Sequence, residues 1–162
     1  GALRLAGKTG VRSVVDPGGI SPDEDYQEIL SQEIFLLKPN EHEIEILTGR
    51  SVSDLGSATA AARHLMDTFP VKNVLITHGP KGSYLVTAAT EDYFPIFPVD
   101  EGGECDETGC GDQVTAVMAA EISAGTPLPS AVAKAMIAGS LQFIRTGINP
   151  VTADDVEDMT AP

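Results

Sequence analysis

Two glycines flank one small residue at Gly109-Cys110-Gly111, and an acid, Asp112, follows at once. An apolar series then begins, Val114, Val117, Met118 and Ile122, spaced as one face of a helix. A tight turn therefore feeds directly into a helix N-terminus. The first N–H groups of a helix lack intrahelical partners, and the helix dipole is positive there. Glycine leaves such groups open to close approach. The turn could cradle an anion, and a transferring phosphoryl group is the obvious candidate. Asp112 falls in the first turn of the helix, where its carboxylate could accept a proton from an attacking hydroxyl. A plain turn with an acid that suits the dipole has the same pattern, so this stretch alone leaves both readings open.

Three further stretches follow apolar runs. Val11 to Val15 ends in Asp16-Pro17-Gly18-Gly19, so Asp16 lies at the C-terminal end of a strand, where open α/β sheets place their ligands. Simple turn chemistry explains it equally. Ile34 to Leu37 runs into Lys38-Pro39-Asn40-Glu41-His42-Glu43. Asn40 with Glu43 three residues on is a capping box, and Gly49 is a suitable helix end. Val74 to Thr77 runs into Gly79-Pro80-Lys81-Gly82, a type I turn by its Pro and Gly positions.

Asp106-Glu107-Thr108-Gly109-Cys110-Gly111-Asp112 resembles the C-terminal signature of the ribokinase-like (PfkB) carbohydrate kinase family. The residue between the glycines is usually Ala there; Cys110 leaves the backbone cradle intact. Asn40-x-x-Glu43 resembles the family's Asn-x-x-Glu motif, and Thr77-x-Gly79-x-x-Gly82 its nucleotide-contacting turn. The resemblance implies an ATP-dependent phosphotransferase acting on a hydroxyl of a sugar, sugar phosphate or sugar-like substrate. It implies Asp112 as general base, with the N–H groups of Gly109, Cys110 and Gly111 on the γ-phosphoryl group. Asn40 and Glu43 would organise Mg2+ through water. Thr77, Gly79 and Gly82 would lie along the nucleotide, with Gly147 near its base. Asp106 and Thr108 would offer oxygens to a monovalent cation such as K+.

Members of the family are about twice this long, and their N-terminal half carries a Gly-Gly signature, most sugar contacts and a lid. The expectation is therefore one ribokinase-like, ATP-binding domain portion over residues 1–162, either cut from a longer chain or covered by self-association. The Asp-Pro-Gly-Gly and Pro-Val-Thr stretches resemble heptose-phosphate kinases within the family, but ribokinase-like and nucleoside kinases stay open. A non-catalytic nucleotide-binding or partner-binding half-domain is the alternative. A dinucleotide-dependent oxidoreductase is poorly supported, because no Gly-x-Gly-x-x-Gly follows the first strand.

The elements that position these residues alternate. Helices are expected near residues 1–10, over 24–32, after Asn40, from a Ser53 cap to Phe69, from Asp112, and over 128–144, which is apolar nearly all round. A short acidic helix ends the chain. Strands are expected at 11–15, 34–37, 74–77 and 83–87, with an edge strand at 93–99. An acidic loop at 100–105 leads to the glycine turn. This order predicts an α/β, three-layer α/β/α ribokinase-like fold (its C-terminal portion), with a mainly parallel sheet and helices on both faces.

Composition sets the outer bounds. The 162 residues carry 10 basic and 24 acidic side chains, a net charge of −14. Such a surface repels nucleic acid and anionic membranes. No apolar run is long enough to span a membrane. The two cysteines, Cys105 and Cys110, lack redox or zinc spacing and read as free thiols of a cytoplasmic protein. A thiol at a helix start is open to a lowered pKa, but a small residue filling a turn is the simpler reading.

Overall fold

Seven helices and five strands make up a computed structural model that describes residues 1–21, 23, 26–100, 105–147 and 149–160. The chain divides into two compact units, Gly1–Tyr93 and Phe94–Pro162.

The first unit is organised by three apolar runs. β1 (Val14–Val15), β2 (Leu36–Leu37) and β3 (Val74–Thr77) pair in parallel, with Val15 opposite Leu37 and Leu37 opposite Val74. β4 (Ser83–Val86) returns antiparallel to β3, and β5 (Glu91–Phe94) ends the sheet order β1-β2-β3-β4-β5. The fold is α/β, with a mostly parallel sheet. β2 and, apart from half-buried Thr77, β3 are buried runs, as parallel strands covered on both faces must be.

The strands are shorter than the apolar runs suggest. Ile34 still bridges Val71, and Asn40 bridges Thr77, so the β2–β3 pairing extends beyond both strands with gaps. The edge strand lies at 91–94 rather than 93–99. Pro95 and Pro98 donate no N–H to a ladder, so pairing stops before them.

α1 (Ala2–Thr9) precedes β1, and α2 (Gln27–Leu30) is shorter than the expected 24–32 helix, of which residues 24 and 25 lie outside the described residues. α3 (Glu41–Thr48) begins at Asn40, whose side chain accepts from the N–H groups of His42 and Glu43. α4 (Leu55–Thr68) begins at Asp54, not at Ser53. Asp54 exchanges hydrogen bonds with Ser57 in a second capping box, which a Ser53 cap could not form at that spacing. Ile34, Ile44, Leu65 and Ile76 are fully buried in the core of this unit.

The second unit holds α5 (Cys110–Ala124), α6 (Leu128–Phe143) and α7 (Ala153–Thr160). α6 buries residues on most of its faces, as its composition predicts, and α7 is the acidic C-terminal helix. The expected 100–105 loop falls largely outside the described residues. α5 and α6 approach closely at Gly139, where an added Cβ would lie 2.9 Å from Val114 Cγ2. Val114 is buried and β-branched, so it cannot swing aside cheaply.

Gly139→Ala gains up to about 1 kcal/mol of helix propensity. It loses about 1–3 kcal/mol through overpacking. The net expectation is a destabilised protein in urea unfolding, with Val114→Ala rescuing part of the loss in the double variant. Additive losses would rule out the clash.

Candidate active site

The strand ends of the first unit carry its three singled-out segments. β2 delivers Lys38, whose side chain is 4% exposed and whose ammonium pairs with Asp16 at 2.8 Å beyond the end of β1. Two residues on, Asn40 caps α3 and sits beside Thr77 at the end of β3, where the Thr77 N–H donates to the Pro39 carbonyl at 3.0 Å. Glu43, buried at 5% exposure, joins these parts. Its Oε2 accepts from the Asn40 N–H at 2.8 Å, and its Oε1 from the Gly19 N–H at 3.0 Å. One carboxylate thus pins the Asp16–Gly19 loop to the start of α3. Lys38 carries no signal in the sequence beyond a lone cation at the end of an apolar run.

Thr77 leads into a 3-10 turn over Gly79–Lys81, closed by the Gly82 N–H on the Gly79 carbonyl at 3.2 Å. The predicted turn is therefore present, and β3 and β4 run antiparallel from it. Gly79 is exposed, whereas Gly82 is buried and its carbonyl accepts from the His78 N–H at 2.8 Å.

The glycine turn of the second unit starts its helix earlier than the apolar face suggests. α5 begins at Cys110, with Gly109 as N-cap in the left-handed region (φ 80) and no side-chain cap. Asp112 is in the first turn and exposed, and its carboxylate has no partner among the described residues. The Cys110 N–H is engaged by the Glu107 carbonyl at 3.3 Å. The N–H groups of Gly109, Gly111 and Asp112 find no acceptor among the described residues. Of the three N–H groups singled out in the sequence, Cys110's is thus occupied, and that of Asp112 takes its place. Burial, then the Glu107 and Asp106 carboxylates, push the Cys110 thiol pKa up, so the dipole does not activate it.

Each carboxylate oxygen of Asp106 holds one N–H. Oδ1 accepts from the Thr108 N–H at 2.9 Å and Oδ2 from the Gly147 N–H at 3.3 Å. The Thr108 hydroxyl and N–H, then the Gly147 N–H, hold its carboxyl below the usual range. The segment that contains Gly147 is fastened further by Gln142 Nε2, which donates to the Gly147 carbonyl at 3.1 Å. Arg145 reaches the Pro150 carbonyl at 3.0 Å and Asp155 at 2.8 Å. Among the described residues no cluster of three or more His, Cys, Asp or Glu side chains could hold a metal ion. No helix there is long and apolar enough to cross a membrane.

Superposition places this architecture among known folds. Ribokinase of Arabidopsis thaliana, solved with ribose and ATP, matches 97% of the chain with a TM-score of 0.87 at 28% identity. Phosphofructokinase-2 of Escherichia coli, solved with potassium, matches 96% with a TM-score of 0.80 at 25% identity. The fold is ribokinase-like. The chain belongs to the pfkB family of carbohydrate kinases, whose family model matches residues 2–153. Among curated relatives, the bifunctional protein HldE of Acidiphilium cryptum is 32% identical over 150 residues. The chain spans 29% of that protein, and 50% and 48% of the two solved chains.

Asp155 provides a test of the second unit's acid sensitivity. The Thr152 N–H and hydroxyl, then Arg145, lower its pKa to about 2. The unfolded chain titrates such a group near ~3.9. Its stabilisation is therefore complete above about pH 4 and lost as pH falls towards 2. Melting temperatures measured across that window should fall more steeply for the wild type than for Asp155→Asn. Parallel curves would show that the ring of contacts around Arg145 contributes nothing.

Proposed function

We propose that this chain forms the nucleotide-binding, base-bearing portion of an ATP-dependent phosphotransferase that acts on a hydroxyl of a sugar, sugar phosphate or sugar-like substrate. The observation that carries this reading is the start of α5. A free carboxylate, Asp112, stands beside unpartnered N–H groups at an uncapped helix N-terminus. An exposed, unengaged aspartate can take a proton from a hydroxyl, and the free N–H groups can stabilise charge gathering on the phosphoryl oxygens. Attack by the hydroxyl oxygen on the γ-phosphorus forms one P–O bond as the bond to the β-phosphate oxygen breaks. The hydroxyl proton passes to Asp112, and ADP leaves. Such catalysis rests on positioning and electrostatics.

The free N–H groups of the uncapped turn suit the phosphates of ATP, with Gly147 of the same unit towards its base; the family resemblance gives Thr77 and Gly79 a nucleotide-contacting role of their own. Mg2+ fits less directly. The Asn40 side-chain oxygen holds two N–H groups, and each Glu43 oxygen holds one. Both residues therefore suit contact through the water that Mg2+ retains rather than direct ligation. When bound, the ion would neutralise phosphate charge. The anionic Asp106 suits a monovalent cation through the lone pairs that its two N–H donors leave, a reading supported by the potassium complex of the Escherichia coli relative. The ribose complex of the Arabidopsis thaliana ribokinase and the fructose-6-phosphate complex of the Escherichia coli phosphofructokinase-2 support a sugar or sugar phosphate as acceptor.

The chain's length against its relatives supports a second reading, a nucleotide-binding half-domain without catalysis of its own. Calorimetry with Mg-ATP, paired with ADP release over a sugar panel, separates the two. Asp112→Asn should bind ATP within about twofold of wild type yet lose about 10²–10⁴ of its turnover. Equal turnover would sink the base assignment. Saturable ATP binding with no sugar-dependent ADP release would establish the second reading.

A further inference from the structure

Gln113 follows Asp112 and does two things at once. Its N–H closes the first turn of α5 on the Gly109 carbonyl at 2.8 Å. Its carboxamide reaches the main chain 38 residues on, where Nε2 donates to the Val151 carbonyl at 3.1 Å and Oε1 accepts from the Val151 N–H at 3.2 Å. Both hydrogen-bonding groups of the amide meet both groups of one buried residue, as a neighbouring strand would. Asp106 does the equivalent at the other end of the turn, through the Gly147 N–H. The glycine turn is thus clasped at one end to Gly147 and at the other to Val151. Gln142 in turn donates to the Gly147 carbonyl, and Arg145 to the Pro150 carbonyl.

We propose that Gln113 is a positioning residue, whose paired hydrogen bonds to Val151 set the first turn of α5 and so the placement of Asp112. The proposal rests on the reading of Asp112 as general base. α5 has no side-chain cap, so no N-cap side chain fixes its first turn as Asn40 and Asp54 fix theirs.

The test uses Gln113→Leu, which removes both hydrogen bonds at similar volume, and Gln113→Glu, which keeps only the acceptor while ionised. An ionised glutamate would set an oxygen against the Val151 carbonyl; its protonated form donates and restores the pair. NMR of the chain itself reads the outcome without requiring turnover. In Gln113→Leu the amide resonances of Gly111 and Asp112 should shift, with that of Val151. In Gln113→Glu they should shift at about pH 8 and return towards wild type as pH falls to about 5. Kinetically, Gln113→Leu should lower kcat about tenfold or more with KM for ATP nearly unchanged, since small misplacements of a reacting group have large effects. For Gln113→Glu, the ratio of its kcat to that of wild type should rise as pH falls. Unmoved Gly111 and Asp112 resonances beside a shifted Val151 would overturn the proposal and leave Gln113 a structural contact. Full turnover in Asp112→Asn, with those resonances shifted in Gln113→Leu, would keep the clasp and overturn the base reading instead.

Discussion

The first unit depends on the buried carboxylate of Glu43. Each oxygen holds one backbone N–H, from Asn40 and from Gly19. Hydrogen bonds to a charged group contribute about 1.5–3 kcal/mol each. Left without them, a buried carboxylate is strongly unfavourable. Glu43 is thereby bound to keep both segments in place. Pro17, Gly18 and Gly19 offer little side chain to pack, so the loop beyond β1 needs such an anchor. With that loop fixed, Asp16 meets Lys38, and the charge brought by Lys38 is balanced where it is buried. The capping box is therefore a local helix signal and a long-range tie in one residue.

Carboxylates near the glycine turn divide by what they hold. Hydrogen bonds lower the pKa of both Asp106 and Asp155, led by the Thr108 hydroxyl at Asp106 and by the Thr152 N–H at Asp155. A carboxylate so stabilised in its ionised form is a poor proton acceptor at neutral pH. Asp112 carries no such bonds among the described residues. The acids that order the loops and the acid that we propose as the base are different residues. A sequence with Asp at 106, 112 and 155 does not distinguish them.

What the sequence shows well is local. The capping box at Asn40, the breaks at Gly49 and Gly125, and the helical faces of α5 and α6 all follow from spacing within a few residues. The cap of α4 is displaced by one residue because Ser53 and Asp54 are both competent caps, and only the position of Ser57 decides between them. The edge strand moves to 91–94 because the prolines limit pairing more strongly than the apolar content of 93–99 promotes it. The contacts that shape the candidate site are not local. Lys38 with Asp16, Glu43 with Gly19, Asp106 with Gly147 and Gln113 with Val151 join residues far apart in sequence. No periodicity encodes them.

The helices differ in how their N-termini are capped. α3 and α4 begin at Asn40 and Asp54, whose oxygens fill the N–H groups of the first turn. α5 begins at Gly109, which has no oxygen to offer. Glycine at this position loses only a few tenths of a kcal/mol against the best caps. A side-chain cap would place its oxygen on the N–H of Gly111 or Asp112, the groups now open to an anion. The weaker cap is therefore the one compatible with binding. The rigidity it forgoes comes from outside the helix, through Asp106 and Gln113. An uncapped N-terminus held by two remote clasps stays ordered while its donors stay free.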